Sequence, residues 1–417
     1  MASAPSLAAV VARYAEEAAF LWTQRTLAVH APHYNLLTLD RLDARVEAHL
    51  DGLRLTADAG WECCRYLLDQ AEPGALFAAT ATALASRDPA RWKHCTERVE
   101  MTPEVRDEFA SALAWMPFES VQAHLPALAR AASPALRRAA IAGWALHRQD
   151  PGEALSLALR DPEPGVRARA LRAMGELGRR DLLDLGGEAA GSRDDSCQYW
   201  SAWASALLVG DEGAVSHLRT FAEASGSHRL RAAALAARRM DPGLAAPWRE
   251  QLAAHPDGIG AALAAAAACG DPSAVPWLIE CMSRFDVARP AGEAFTQITG
   301  VDLEDLQMVG SKPEEFEAGP TEDPDDENVE MDPDADLPWP DMGKIRAWWD
   351  RSSSIFIAGT RYLVGRPIRT AALKEALRTA RQRQRGAAAI ELAMRDPGSR
   401  LFEVRAPGFR QRRALGT

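Results

Sequence analysis

The chain has 417 residues, a formal net charge of −10, 47% apolar residues and 25% charged residues. This composition excludes collagen-like chains, and six cysteines are too few for a disulfide scaffold. No apolar run reaches the roughly 18 residues that a membrane helix needs, so a membrane-spanning class is also excluded.

The first segment, residues 1–56, is predicted to form a helical cap. Arg13, Glu16 and Glu17 interrupt its apolar stretch, which argues against a secretory leader and favours a cytoplasmic protein with reduced thiols. Pro32 and Asn35 separate two amphipathic stretches, each with apolar residues at a spacing of three to four. A polar-faced pair of helices of this kind can close one end of a repeat array.

A repeat of about thirty residues follows over residues 57–290. Acidic residues recur at steps of 30 or 31, at Asp88, Glu119, Asp150, Asp181, Asp211, Asp241 and Asp271. Each lies between an Ala-rich amphipathic stretch and a second apolar-periodic stretch, and four continue as Asp-Pro. The pattern predicts helix, tight turn, helix in every unit.

The recurring aspartates are predicted to be structural helix caps. An Asp carboxylate accepts hydrogen bonds from the free amide groups of a first helical turn, and Pro fits the first helical position. The predicted caps are Asp88, Asp150, Asp181, Asp211, Asp241 and Asp271. A single two-helix unit cannot bury its apolar face, whereas stacked neighbours can.

The segment PEPGVRARALRAMGELGRRD closely resembles a HEAT-like repeat. The residues that carry the resemblance are Val166, Arg167, Ala170, Leu171, Gly175 and Asp181. The predicted fold is therefore an all-α, HEAT-like α-solenoid of about seven to eight two-helix repeats.

A closing region with an acidic insertion is predicted for residues 291–350. The sequence AFTQITGVDLEDL is typical of the end of such an array, and the helix KIRAWWDRSS carries Trp348 and Trp349. Between Asp302 and Asp341 there are 16 acidic residues and one basic residue. Residues 313–336 are poor in large apolar side chains, so we predict a loop of disordered character there.

The final segment, residues 351–417, is basic and is predicted to contain two helices around RQRQRG and a short extended piece, LFEV. It has 15 Arg and Lys residues against four acidic ones. We expect the acidic insertion and this basic segment to neutralise each other in part, or to be solvated separately.

The two ends of the chain are similar to one bacterial family beyond the repeats themselves. The motifs are AEEAAFLW and LDRLDARV near the start, with DLPWPD, GTRYL and RQRQRGAAAIELA near the end. The family is uncharacterised and HEAT-like, and its genes often lie in type VI secretion neighbourhoods. The resemblance implies an association with type VI secretion, but it supplies no catalytic residue.

Motifs for chemistry are weak. The chain has no G-x-x-x-x-G-K-[ST] phosphate loop, no G-x-S-x-G elbow and no H-E-x-x-H. Cys63–Cys64 and His94–Cys95 lack C-x-x-C spacing and are read as buried thiols rather than metal ligands. We therefore predict a non-enzymatic protein with no catalytic residues, no metal and no cofactor.

The predicted function is protein binding in type VI secretion, as an effector adaptor, chaperone or accessory protein. The partner would be an effector, a toxin or a spike component, and no membrane is involved. One alternative is a cytoplasmic immunity protein that blocks a cognate toxin. Another is a HEAT-like nucleic-acid-binding or DNA-repair protein, which the net charge of −10 makes less favourable. The predicted partner-binding residues are Glu322, Asp323, Asp325, Asp326, Trp339, Trp348 and Trp349.

Overall fold

A computed structural model describes residues 6–102, 105–191, 193–314, 316 and 332–417. The chain forms two compact units. Unit 1 comprises Met1–His30, Tyr34–Ala204 and Asp396–Thr417, and unit 2 comprises Ala31–His33 and Ser205–Arg395. Over the described residues the elements are 23 α-helices, a few 3₁₀ turns and two strands of two residues each, so the predicted all-α repeat class is confirmed.

The helices of unit 1 follow one another as stacked pairs. They are α1 (Leu7–Ala28), α2 (Leu36–Leu55), α3 (Ala57–Asp69), α4 (Ala75–Ser86), α5 (Pro89–Met101), α6 (Arg106–Trp115), α7 (Phe118–Val121), α8 (Leu125–Ala129), α9 (Pro134–Leu146), α10 (Glu153–Ala158), α11 (Pro164–Glu176), α12 (Leu183–Ala190) and α23 (Gly408–Leu415). A further helix, α13 (Asp195–Leu208), begins in unit 1 and ends in unit 2.

One row of helices forms the centre of unit 1. Helix α4 packs against α6, α6 against α9 and α9 against α11, while α1 contacts α2, α3 and α4. The row is close-packed because its helices are rich in small residues, and ten consecutive residues of α4 (75–84) are buried. Near its N-terminal end the row is sealed by Trp22, whose ring stacks on Phe77 with centroids 5.3 Å apart.

Unit 2 continues the same helical pattern. Its elements are α14 (Glu212–Glu223), α15 (Arg229–Arg239), α16 (Pro242–Ala254), α17 (Ile259–Cys269), α18 (Val275–Cys281), α19 (Ala288–Thr299), α20 (Met342–Ser352), β1 (Tyr362–Leu363), β2 (Arg366–Pro367), α21 (Thr370–Thr379) and α22 (Gln382–Arg395). Helices α15, α17 and α19 form its central row, and α14, α16 and α18 pack beside them.

The core of unit 2 lies between α17, α18, α19 and α20. Its fully buried members include Leu278, Phe295, Ile298 and Ile345. Each of these helices buries an apolar stripe, so the row is held mainly by burial of aliphatic and aromatic area.

A small antiparallel hairpin, β1–β2, is tied to the helix ends by backbone hydrogen bonds. The N–H of Tyr362 donates to the carbonyl of Gly270 at 2.8 Å. Gly270 ends α17 with φ of +73°, and a Cβ there would lie 2.3 Å from the Tyr362 carbonyl oxygen. Glycine is therefore required both by the left-handed backbone and by the close approach of the hairpin.

The C-terminal segment differs in detail from the prediction. RQRQRG does not separate two helices, because α22 begins at Gln382 within it. LFEV has no regular secondary structure, and Leu401 donates its N–H to the carbonyl of Glu176, the last residue of α11, at 2.9 Å. The division into four segments at residues 56, 290 and 350 describes sequence character rather than packing, and it stays a prediction.

Candidate functional site

The predicted Trp348 and Trp349 lie on α20 and pack inward within unit 2. The Trp348 ring meets Phe295 edge-on with centroids 5.7 Å apart. The Trp349 ring lies 5.4 Å from that of Phe356. Both tryptophans are half-buried against the core, so they hold α20 against α19. Their packing gives them a structural role, and a partner-binding role for them stays a prediction.

The third predicted tryptophan, Trp339, belongs to a different cluster organised by Arg289 on α19. The Arg289 guanidinium lies 4.7 Å from the centroid of Trp339 and 4.9 Å from that of Phe316. The two rings meet edge-on at 4.8 Å. Arg289 is only 6% exposed, so these cation–π contacts are largely shielded from water.

Arg289 also holds the chain at Asp332, where the described part of the insertion resumes. Its two terminal nitrogens donate to the two Asp332 carboxylate oxygens at 2.7 and 3.1 Å, and one of them donates to the Asp334 carbonyl at 2.8 Å. The hydrogen bond from Arg289 lowers the pKa of Asp332. One buried arginine thus fixes both described ends of the acidic insertion. Arg289 was not predicted from the sequence, in which the only indication of its role is a single Arg within the apolar stretch of α19.

An exposed apolar surface surrounds this cluster. We define the Trp339 surface as Phe285, Leu306, Val309, Phe316, Trp339 and Met342. Four of its members, Phe285, Leu306, Val309 and Met342, are exposed. Two contacts hold it together: Phe285 lies 6.3 Å from Phe316, and Val309 pairs with Pro340 in an isolated β-bridge.

The acidic residues predicted to bind a partner lie beside this surface in the sequence. Glu322, Asp323, Asp325 and Asp326 fall outside the described residues. Their chemistry is nevertheless fixed by sequence, since residues 302–341 carry 16 acidic side chains against one lysine. The Trp339 surface is therefore flanked by a strongly negative segment.

Two ion pairs join the closing region to the basic segment within unit 2. Arg381 donates to Asp302 at 2.7 Å, and Arg383 donates to Glu293 at 2.6 Å. Burial would raise the pKa of Asp302, but its hydrogen bonds, the first of them from Arg381, lower it. Part of the basic segment is therefore neutralised by Glu293 and Asp302, which precede the insertion. Neutralisation by the acidic insertion itself stays a prediction.

The recurring aspartates divide into two kinds. Asp88, Asp211, Asp241 and Asp271 are N-caps whose carboxylates accept from backbone N–H groups at 2.8 to 3.1 Å. Asp150 accepts from the Gly152 N–H at 2.9 Å, but the helix N-cap is Gly152 itself. Asp181 departs from the prediction because it lies inside a 3₁₀ turn and its exposed carboxylate pairs with Arg179 at 2.7 and 2.8 Å.

A second polar site lies in unit 1 and was not predicted. A cavity of about 330 Å³ opens between α1, α6, α9, α11 and the chain at residues 403–407. We define the arginine cleft by its lining residues Arg25, Arg138, Arg169, Arg172 and Arg405. Asp107, Arg138 and Arg169 occupy equivalent repeat positions, 31 residues apart, on α6, α9 and α11. The repeat that predicted the fold therefore also aligns charged side chains along this cleft.

The arginines share two buried glutamates, and one of them, Glu403, also lines the cleft. Glu176 lies 2.8 Å from Arg172 and 3.1 Å from Arg169. Glu403 lies 3.1 Å from Arg148 and 2.8 Å from Arg405. Burial alone would raise the pKa of Glu176, but the charges of Arg169 and Arg172 lower it to about 2.

The cysteines form no disulfide, and five of the six are buried. Burial raises the pKa values of Cys64 and Cys95 to about 12, so both are held as neutral thiols. Within the described ranges, no group of three or more His, Cys, Asp or Glu side chains is arranged to hold a metal ion. A search of the same ranges found no helix with the length and apolarity needed to cross a membrane.

Comparison with known proteins supports the repeat assignment. Residues 152–238 match the family model of HEAT repeats. The matched segment runs from the start of α10 to the end of α15 and includes the stretch that resembled a HEAT-like repeat in sequence. No curated protein matches the chain.

Proposed function

We propose that the protein is a non-enzymatic helical-repeat scaffold that binds a basic protein partner through the Trp339 surface. The observation that carries the proposal is the exposed apolar cluster, held in place by Arg289 and flanked by a segment with 16 acidic residues. Exposed apolar patches rimmed by charge are typical of protein interfaces. The negatively charged segment favours encounter with a positively charged partner and disfavours binding of negatively charged ones.

The biological setting we propose is type VI secretion, in the cytoplasm, and it rests on the family resemblance of the two chain ends. An effector adaptor or chaperone would use the Trp339 surface to hold its cargo. An immunity protein would use the same surface to cover a toxin. A secretion assay separates the two roles, because loss of an adaptor abolishes export whereas loss of an immunity protein kills cells that carry the toxin.

The contacts of arginines in two basic stretches, residues 229–239 (RLRAAALAARR) and 381–385 (RQRQR), argue against the nucleic-acid alternative. In RLRAAALAARR, Arg238 lies 3.5 Å from Glu391, and Arg239 donates to the Ala206 and Leu207 carbonyls. In the RQRQR stretch, Arg381 and Arg383 are in ion pairs, and Arg385 is fully buried and donates to the Leu377 carbonyl. Arg238, Arg239 and Arg385 thus serve the fold, and Arg381 and Arg383 are already paired with carboxylates, which makes these two stretches less suited to binding the phosphates of a duplex.

Affinity purification with matched variants tests the proposal. Tagged wild-type protein, the double variant Val309→Asp/Met342→Asp and the control Leu244→Asp are each purified from source cells, and co-purifying proteins are quantified by mass spectrometry. Leu244 is an exposed apolar residue of unit 2 on α16, so its change adds charge away from the Trp339 surface. We expect one basic protein to be recovered with wild type and with the control, and to be depleted at least about tenfold with the double variant. Equal recovery with all three proteins would contradict the proposal.

A further inference from the structure

The charges around the arginine cleft do not balance. Arg25 pairs with Asp43 at 2.5 Å and Arg138 pairs with Asp107 at 2.8 Å, so each of these has its own carboxylate. The remaining network contains four guanidinium groups, of Arg148, Arg169, Arg172 and Arg405, but only two carboxylates, of Glu176 and Glu403. Two positive charges are in excess in a largely buried site. Buried charges are ordinarily paired, so this excess is unusual.

Arg169 is held by an ion pair rather than by hydrogen bonds from its Nη1. It is only 7% exposed and lines the cleft. Its buried Nη1 lies 3.1 Å from Glu176 Oε2, and within the described part of the chain neither of these two atoms has a partner with hydrogen-bond geometry. An unsatisfied buried donor of a charged group is costly, so an acceptor supplied from outside would be strongly favoured.

Burial is the main cause of a lowered pKa of the arginines in this cleft, and repulsion among the arginines adds to it. Burial, followed by the charges of neighbouring arginines, lowers the pKa of Arg169 despite the presence of Glu176. Burial lowers the pKa of Arg172 to about 10. A bound anion would oppose this lowering, since an opposite charge nearby favours the protonated form.

The other lining residues indicate which kind of organic group the ligand would carry. Val29, Ala110 and Ala114 contribute apolar surface, and Trp22 and Trp115 contribute aromatic rings. A volume of about 330 Å³ lies at the lower end of small-molecule sites. The lining also includes the carboxylates of Asp107 and Glu403, which are paired with Arg138 and Arg405. The cleft therefore combines a charged end, in which arginines outnumber carboxylates, with apolar and aromatic side chains.

We propose that the arginine cleft binds a small phosphate monoester whose organic part is apolar or aromatic. A phosphate monoester carries a charge of about −1.5 to −2 at pH 7, which matches the excess of two positive charges. Arg169 and Arg172 are three residues apart on α11, so their side chains start from one face of the helix and can share one tetrahedral anion. The aromatic and aliphatic wall then receives the organic part. This inference is independent of the Trp339 surface, which lies in unit 2.

Isothermal titration calorimetry on the full-length protein tests the proposal with phenyl phosphate, inorganic phosphate and phenol at constant ionic strength. We expect saturable binding of phenyl phosphate, weaker binding of inorganic phosphate and none of phenol. Arg172→Gln should weaken phenyl phosphate binding by about tenfold or more, as expected for loss of a charged hydrogen bond. Arg169→Gln serves as a second variant of the cleft, and thermal unfolding of both establishes that they are folded.

The control is Arg65→Gln, which removes the same charge from an arginine on α3 outside the cleft. It should bind phenyl phosphate like wild type. No saturable binding of phenyl phosphate to wild type, or equal binding by wild type and both cleft variants, would overturn the proposal. Tight binding of a duplex oligonucleotide without binding of phenyl phosphate would also overturn it and would favour a nucleic-acid ligand instead.

Discussion

Two buried arginines organise the two units in different ways. The terminal nitrogens of Arg289 donate to one carboxylate and a backbone carbonyl, and its guanidinium lies against two aromatic rings. Arg169 instead shares Glu176 with Arg172 and lies in a network with excess positive charge. Loss of a carboxylate from the second network should therefore be far more damaging than loss of an arginine.

Glu176→Gln is expected to destabilise unit 1 by about 3 kcal/mol or more at pH 7, because it leaves buried guanidinium groups without a countercharge. The folded pKa of Glu176 is lowered to about 2, so its stabilising effect is complete above the ordinary value of 4.5 and is lost as the pH falls toward 2. Denaturant unfolding of wild type and variant between pH 7 and pH 2.5 measures the difference, which should shrink as the pH falls. A constant difference over this range would contradict the account.

His147 gives a pH effect of the same direction in a different window. Its Nε2 lies 2.8 Å from the Leu113 carbonyl, and Arg410 approaches Nδ1 at 3.2 Å. Burial, together with the charge of Arg410, lowers the pKa of His147 to about 4 from an ordinary 6.5. The unfolded chain takes up this proton first, so stability should fall as the pH drops from about 6.5 to 4. NMR titration of the imidazole should show that His147 is neutral at pH 5.5. A titration midpoint near pH 6.5 would contradict the buried environment described for His147.

At the level of elements, the turns between helices do not all depend on their aspartates. Asp241→Ala should cost about 1 kcal/mol, because the Asp241 carboxylate caps α16 through the Gly243 N–H. Asp181→Ala should cost less than about 0.5 kcal/mol, because it removes only an exposed ion pair with Arg179. Chemical unfolding of the two variants compares them directly, and equal losses of stability would contradict the distinction between cap and turn residue.

The repeat helices were predictable from sequence where the pattern that specifies them lies within a short stretch of chain. The thirty-residue spacing, the Asp-Pro turns and the Ala-rich helices encode the repeats over short stretches, so α15, α16 and α17 follow from the pattern. The bond from Arg289 to Asp332 joins residues 43 apart, and no periodicity encodes it. The arginine cleft was missed for a related reason: its alignment at 31-residue steps is visible in sequence, but its closure by residues 403–407 depends on a segment with no repeat character.

At the level of the whole molecule, two residues at the described ends of the acidic insertion, Phe316 and Asp332, contact Arg289. Replacement of residues 317–331 by a short Gly-Ser linker should leave the melting temperature of unit 2 unchanged. Deletion of 313–336 should lower it, because Phe316 and Asp332, the contacts of Arg289, are then lost. Differential scanning calorimetry distinguishes the two variants, and equal melting temperatures would contradict the role given to Arg289.

The central claim is that a basic partner binds at the Trp339 surface. Hydrogen–deuterium exchange of the protein, free and in complex with the partner recovered by affinity purification, tests it most directly. We predict slower exchange on binding at 305–310 and 337–345, with little change in α6 and α9. Protection confined to unit 1, with 305–310 and 337–345 unchanged, would contradict the account.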